Sequence, residues 1–254
     1  MDLTTSTDRA AAVVDLPADR LYRVSLALYR SLVDHRLIDP RRVALADGLL
    51  VVEPARGNET EADRLYRMPL AVYDEVARIG LLGPGDKTEL LDGLLVMKMT
   101  KGDPHTATTF LIVDALRGSL PDGWHVKNEA PIRLADGPSG HASEPEPDVT
   151  LIRGTIRDYV RRKPGPEDLA LVVEVAESSL HEDRAKLARY AWQRVPVAWL
   201  VNLADRVVEV YTGPAGPAAP ARYQEVTTHG VGDTVPVVID GREVGQVAVA
   251  DLLP

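Results

Sequence analysis

The chain has 254 residues, 45% of them hydrophobic and 26% charged, and its formal charge is −9 at pH 7. It has no cysteine, which excludes disulfides, zinc–thiolate sites, iron–sulfur clusters and cysteine nucleophiles, so any metal must be held by oxygen or imidazole ligands. The acidic balance argues against nucleic-acid binding over the whole surface and leaves room for a local basic patch.

This length suits one main domain with a sizeable core. No run approaches the roughly 20 apolar residues of a membrane span, and residues 1–20 lack the basic start and apolar core of a secretory signal. We therefore expect a cytoplasmic protein with no membrane partner. Residues 1–18 show no sustained period and are predicted to form a flexible tail.

A pattern that predicts a helix followed by a hairpin then occurs twice. Tyr22-Arg-Val-Ser-Leu-Ala-Leu-Tyr29 is echoed by Tyr66-Arg-Met-Pro-Leu-Ala-Val-Tyr73, and Asp47-Gly-Leu-Leu-Val51 by Asp92-Gly-Leu-Leu-Val96. We infer a duplicated unit, with a degenerate first copy over residues 19–62 and a second copy that opens a core starting at residue 63.

The hairpin of the second copy contains an acid in an apolar setting. Its Asp-Gly turn is a strong hairpin signal and predicts that Glu89 pairs with Val96. Both faces of this hairpin are otherwise apolar, so Glu89 is a candidate functional acid. The first copy has Ala44 at this position. The alternative is that Glu89 neutralises an arginine in the core.

The next helix is predicted from Asp103, as the N-cap, to Arg117, with Pro104 at the first helical position. His105 lies in its first turn and is a candidate substrate contact, although a histidine there is more often a surface residue.

A strand is predicted over residues 124–134 and is interrupted by Pro131, which places it at an edge or bends it. A loop leads to a second short strand over residues 147–152, in which Asp148 comes just before the apolar residues.

The only strongly basic window follows, over residues 153–163. Its candidate contacts to a phosphate backbone are Arg157, Arg161, Arg162 and Lys163. The alternative is a solvated surface segment.

The stretch over residues 168–177 reads as a strand buried on both faces, typical of a parallel or mixed sheet. Alternation places Glu174 on the face of Ala170 and Val172, where an unpaired charge would cost several kcal/mol. We therefore expect a cation near it.

A helix from His181 to about Arg194 follows this strand and carries Lys186. An exposed ion pair with Glu182, four residues earlier, is the alternative to a catalytic role for Lys186. Tyr190 reads most simply as a packing residue. A hairpin over residues 198–211 follows, and strands beyond the linker at 213–220 form a C-terminal extension to residue 254 in which we find no chemistry.

Glu89, Asp148 and Glu174 thus stand at strand positions, and a lysine follows on the next helix. Carboxylate oxygens on neighbouring strands suit a hard ion such as Mg²⁺ or Mn²⁺. A lysine beside such an ion assists phosphodiester cleavage by stabilising developing charge.

The motifs together resemble the Uma-type family of restriction endonucleases, which belongs to the PD-(D/E)XK nuclease superfamily. The resemblance covers roughly residues 66–212 and rests on these segments: Glu-Leu-Leu-Asp-Gly at 89–93, Pro-His at 104–105, Pro-Asp-Val at 147–149, Val-Val-Glu-Val at 172–175, Lys-Leu-Ala-Arg-Tyr at 186–190, Val-Pro-Val-Ala-Trp-Leu-Val at 195–201 and Val-Glu-Val-Tyr at 208–211. It implies an α/β fold like that of restriction endonucleases, with a mixed central sheet flanked by helices over residues 63–212.

By the same resemblance, Asp148 and Glu174 are the two motif acids that bind metal, Glu89 is an additional upstream acid, and Lys186 is the catalytic lysine. The superfamily's usual lysine position holds Ala176, and Glu177-Ser-Ser-Leu180 replaces the family's Ser-Pro-Ser-Thr. In this family the lysine lies on the following helix instead.

The leading hypothesis is therefore a Mg²⁺- or Mn²⁺-dependent DNA endonuclease. The alternatives are a catalytically silent interaction or regulatory protein on the same scaffold, and a hydrolase that uses paired carboxylates without metal. A nuclease that cuts both strands commonly works as a symmetric dimer, so a homodimer held by unpaired hairpins is a further expectation.

Overall fold

The computed structural model describes residues 18–52, 60–137, 139–178, 180–218 and 220–254, so the predicted tail lies outside the described residues except for residue 18. The helices are α1 (Leu26–Asp34), α2 (Glu61–Arg64), α3 (Leu70–Arg78), α4 (Asp103–Arg117), α5 (Leu180–Trp192) and α6 (Val249–Leu252). The strands are β1 (Val43–Ala46), β2 (Leu49–Val52), β3 (Thr88–Leu91), β4 (Leu94–Met97), β5 (Trp124–Asn128), β6 (Val149–Arg153), β7 (Leu169–Ala176), β8 (Val197–Asn202), β9 (Val207–Pro214), β10 (Tyr223–Gly230), β11 (Thr234–Ile239) and β12 (Arg242–Ala248).

The central sheet has the strand order β10-β9-β8-β7-β6-β5. Strands β7 and β8 are parallel and are connected through α5, whereas the other neighbours are antiparallel. Every residue of β7 is buried, as its apolar run predicts for a strand covered on both faces. The predicted α/β class with a mixed central sheet is confirmed.

Different elements cover the two faces of this sheet. On one face, Val173 and Trp199 pack with residues of α4, the β11–β12 hairpin and α6. On the other, Val172 and Leu200 pack against α5. Ala170 was expected on the face of Val172 but packs with the first cluster, because the register between β6 and β7 shifts at this end of the strand.

The segments predicted to be duplicates form two helix–hairpin units, α1 with β1–β2 and α3 with β3–β4. Both Asp-Gly turns have positive φ, at 48° and 78° for Asp47 and Gly48 and at 50° and 77° for Asp92 and Gly93. Left-handed values at both turn positions match the twist of a two-residue hairpin. The predicted pairing of Glu89 with Val96 is confirmed.

The segment that precedes each helix contacts both hairpins. Its later part bonds to the turn of its own hairpin, from the Val24 N–H to the Gly48 carbonyl and from the Met68 N–H to the Gly93 carbonyl, both at 2.7 Å. Its first residues pair with the hairpin of the other unit. Leu21 of the first unit pairs with Val96 of the second hairpin, and Leu65 of the second unit pairs with Val51 of the first hairpin. The Tyr22 N–H also donates to the Leu95 carbonyl at 2.9 Å. The hairpins therefore bond to each other's units within one chain.

Several predicted boundaries were wrong. The strand predicted over residues 124–134 ends at Asn128, since Glu129 has a left-handed φ of 46° and Pro131 has no N–H to donate to a ladder. Gly102, and not Asp103, is the N-cap of α4. Strand β10 pairs with β9, so part of the predicted C-terminal extension continues the central sheet.

Candidate active site

A cleft of about 90 Å³ lies where the β3–β4 hairpin, the segment before α4, the end of β7 and helix α5 meet. Its walls include Glu89, Lys98, Lys101, His105, Asp148 and Lys186. The volume leaves room for several water molecules or a hydrated ion. Four of the sequence-predicted candidates thus line one cavity, although they come from separate elements.

Asp148 lies just before β6 and is 4% exposed. Its Oδ1 accepts a hydrogen bond from Lys101 Nζ at 2.6 Å, and its Oδ2 accepts one from the Val175 N–H at 2.7 Å. His105 Nε2 lies 3.2 Å from the same Oδ2. Burial alone would raise the pKa of Asp148, but the His105 hydrogen bond and the Lys101 charge outweigh it and hold the pKa at about 2. Asp148 is therefore a carboxylate at neutral pH.

Glu174, in β7, is 1% exposed and contacts two groups of α5. Lys186 Nζ lies 3.1 Å from its Oε2, and the Tyr190 hydroxyl donates to its Oε1 at 2.5 Å. Burial raises the pKa of Glu174 to about 8, against the opposing effect of Lys186. The expected cation beside Glu174 is present, and Tyr190 does more than pack.

Lys186 lies among four carboxylates. Its Nζ is 3.1 Å from Glu174 and 3.3 Å from Asp183 Oδ1. Burial would lower its pKa, but the charges of Glu174, Glu89, Asp183 and Asp148 raise it above the ordinary value. Lys186 is therefore a permanent ammonium at the centre of the acidic cluster.

Glu182, the alternative partner of Lys186, instead pairs with Arg20. Arg20 belongs to the first unit, lines the cleft and also donates from Nε to the Met97 carbonyl at 3.0 Å. The exchanged segment of the duplicate therefore contributes to the wall of the cleft.

Glu89, in β3, is 4% exposed and accepts a hydrogen bond from the Glu146 N–H at 3.3 Å. In the part of the chain that the structure describes, no arginine pairs with it, contrary to the alternative considered from the sequence.

His105 is 7% exposed and is directed at Asp148, so it is not the surface residue that its helical position suggested. Its contact is to a candidate metal ligand. This contact suits a role for His105 in orienting the carboxylate of Asp148.

The basic window lies elsewhere. None of its four candidate residues is among the described residues that line the cleft. Arg157 and Arg161 are exposed. Arg162 donates to Asp168, with Nη2 at 2.9 Å from Oδ1, and Lys163 pairs with Glu144.

The sequence reasoning missed Lys101, Asp183 and Arg20. Lys101 precedes α4 in an irregular segment, where no periodicity distinguishes a buried from an exposed lysine. Asp183 precedes Lys186 by three residues in α5, and this helical spacing was the available signal.

The donor chemistry of the cleft fits a hard divalent ion. Asp148 and Glu89 line the cleft and offer carboxylate oxygens. Glu174 is not among the described residues that line it, but it bonds to Lys186, which does. Mg²⁺ needs only one or two carboxylates because it keeps several waters. Within the described ranges, however, no three His, Asp or Glu side chains are grouped closely enough to hold a metal. Lysine ammonium groups stand against Asp148 and Glu174 instead.

The fold and the cleft together define an α/β protein with a buried carboxylate–lysine centre beside a mixed sheet. The sequence model of the Uma2 family, described as "Putative restriction endonuclease", matches residues 71–246, which is more than half of the chain. The chain belongs to the Uma2 family, as its motifs indicated. The match extends past residue 212, where the resemblance by motifs had ended, into the C-terminal strands.

Comparisons with curated proteins and with solved structures do not extend this family assignment. No curated protein matches the chain. A solved structure from Anabaena variabilis ATCC 29413, described as a "putative nuclease belonging to DUF820", has 14% sequence identity and a TM-score of 0.49, over 65% of this chain and 88% of that one. Across the described helices, none combines the length and the apolar character needed to cross a membrane.

Proposed function

We propose that the protein is a metal-dependent DNA endonuclease that hydrolyses phosphodiester bonds in this cleft. One observation carries the proposal: Glu89, Asp148 and Lys186, from separate elements, line one cleft, and the buried Glu174 bonds to the Lys186 ammonium at 3.1 Å. Burying acids together is unfavourable unless cations or hydrogen-bond donors compensate, and such clusters are typical of functional sites. Membership of a family described as restriction endonucleases supports phosphodiester hydrolysis as the reaction.

Asp148 and Glu174 would hold Mg²⁺ or Mn²⁺, with Glu89 assisting. The ion, when bound, supplies Lewis-acid polarisation of the phosphoryl group and activation of the attacking water.

The chain's own groups prepare the site for this reaction. His105 and the Val175 N–H fix Oδ2 of Asp148, and Tyr190 fixes Oε1 of Glu174, so both acids are oriented before substrate binds. Lys186 stabilises the negative charge that develops on the phosphoryl oxygens. Exposed Arg157 and Arg161 are candidates for contacts to the DNA backbone.

Nicking of supercoiled plasmid in Mg²⁺ or Mn²⁺, compared with EDTA, tests the proposal. Asp148→Asn and Glu174→Gln should each abolish cleavage. Glu209→Gln is a matched control, because Glu209 is also a buried acid bonded to a cation and a tyrosine, but its partners are Arg184 and Tyr211 and not Lys186. Wild-type protein that leaves DNA intact with both ions, or cleavage that survives in Asp148→Asn, contradicts the proposal.

A second candidate, a catalytically silent interaction protein on this scaffold, is favoured by the pairing of Asp148 and Glu174 with lysines of the same chain. In that case the acids are already neutralised and calorimetry detects no divalent-ion binding. Alanine at either acid then leaves the biological activity intact.

A further inference from the structure

Lys101 bridges two acids at the mouth of the cleft. Its Nζ lies 2.6 Å from Asp148 Oδ1 and 2.7 Å from Glu129 Oε1. The side chain of Asp148 is 6% exposed, whereas that of Glu129 is 44% exposed. Lys101 therefore joins a buried acid to one at the surface, and it belongs to none of the motifs that identify the family.

The two carboxylate oxygens of Asp148 have different hydrogen-bond partners. Oδ2 is bonded to the Val175 N–H and His105, whereas Oδ1 is bonded to Lys101 alone among the described residues. The Val175 N–H is part of the backbone of β7 and cannot move aside independently. A cation that binds Asp148 must therefore use the oxygen that Lys101 now contacts.

Lys101 has a second partner that would retain it. Glu129 has a left-handed φ of 46° immediately after β5, and its N–H donates to the Asp148 carbonyl at 3.1 Å. A non-glycine residue in this region is strained, and such strain is characteristic of functional positions.

We propose that Lys101 is a tethered competitor for the metal: its ammonium occupies Asp148 Oδ1 in the free protein and withdraws toward Glu129 when a divalent cation binds. This inference rests on the proposed function, because it requires a divalent ion at Asp148. It makes Lys101 a determinant of metal affinity in addition to the acids themselves.

Calorimetric titration of the full chain with Mn²⁺, without DNA, tests the competition. Lys101→Met should tighten the Mn²⁺ Kd by about tenfold, since the ion no longer displaces a charged hydrogen bond. Lys98→Met is the matched control, because Lys98 lines the same cleft, pairs with Glu146 at 2.6 Å and is 29% exposed, against 32% for Lys101. Both variants lose one positive charge, but only the first frees Asp148.

Ionic strength separates displacement from simple charge removal. The Debye length is about 10 Å at 0.1 M salt and about 3 Å at 1 M, so a through-space effect is largely lost at high salt. We expect the gain in Lys101→Met to persist at high salt and any gain in Lys98→Met to vanish. A second pair tests the retaining partner: Glu129→Gln should weaken Mn²⁺ binding more than Glu146→Gln.

The outcomes distinguish this inference from the proposed function. Equal or weaker Mn²⁺ binding by Lys101→Met, relative to Lys98→Met, overturns the competition while the metal site stands. If no variant binds Mn²⁺ and all have wild-type circular dichroism spectra, both the metal site and the competition are overturned.

Discussion

Arg189 donates two hydrogen bonds to one oxygen of Asp92, from Nε at 2.9 Å and from Nη2 at 2.7 Å. Both side chains are 3% exposed. Asp92 begins the turn of the hairpin that carries Glu89, and Arg189 lies in α5 one turn after Lys186. This buried ion pair therefore links the elements that carry two of the candidate site residues.

Asp92→Asn should destabilise the fold by about 3 kcal/mol, because it leaves a buried guanidinium without its carboxylate. Asparagine tolerates the left-handed turn, so the hairpin itself should persist. The duplicated unit offers a matched control: Asp47→Asn, at the exposed equivalent turn, should change the free energy of unfolding by less than about 0.5 kcal/mol. Urea unfolding measures both. If both substitutions change the free energy of unfolding equally, the ion pair between Asp92 and Arg189 does not stabilise the fold.

The raised pKa of Glu174 predicts an unusual pH dependence of stability without divalent ions. Burial raises this pKa from 4.5 to about 8, so the folded protein keeps a proton that the unfolded chain releases. The stability from this group is complete below about pH 4.5 and is lost as the pH rises to about 8. Glu174→Gln should therefore gain stability relative to wild type across this range, measured by urea unfolding in EDTA.

Asp148→Asn provides the control for that experiment. The pKa of Asp148 is held at about 2, below its ordinary value, so its stabilising effect is lost only in acid, as the pH falls through that value. The difference in the free energy of unfolding between Asp148→Asn and wild type should stay constant between about pH 5 and pH 8. Parallel pH profiles for the two variants would show that Glu174 does not hold an extra proton.

The exchange between the two helix–hairpin units predicts a cross-link within one chain. The chain has no cysteine, so Leu21→Cys with Val96→Cys introduces a single pair. Opposed antiparallel residues lie about 4.5–5.5 Å apart at Cα, within the range for a disulfide. Oxidation should give a cross-linked monomer on a non-reducing gel.

Leu21→Cys with Val51→Cys is the control for this experiment, because Val51 lies opposite Leu65 and not opposite Leu21, so this pair should not cross-link. A disulfide-linked dimer from the first pair would instead mean that the exchange occurs between two chains.

Local patterns predicted much of the fold. The Asp-Gly turns determined both hairpins and the pairing of Glu89 with Val96, since a two-residue turn leaves one register. The unbroken apolar run predicted the burial of β7. The end of β5 was missed because the left-handed Glu129 has no signature in the sequence.

The candidate site was predictable only in part. An acid in an apolar strand, such as Glu174, is conspicuous because its burial is unfavourable. Its surroundings depend on contacts between distant segments: Lys101 and Asp148 are 47 residues apart, and Arg20 and Glu182 are 162 apart. Periodicity describes one element at a time and cannot predict such pairs.

The proposed endonuclease function depends on a divalent cation that binds to the buried acids Asp148 and Glu174. A crystal soaked in Mn²⁺ and measured for anomalous scattering tests it most directly. We expect a peak against the carboxylates of Asp148 and Glu174, with Lys101 withdrawn from Oδ1. A soaked crystal with no peak in the cleft, and with Lys101 still bonded to Asp148, would contradict the metal-dependent mechanism.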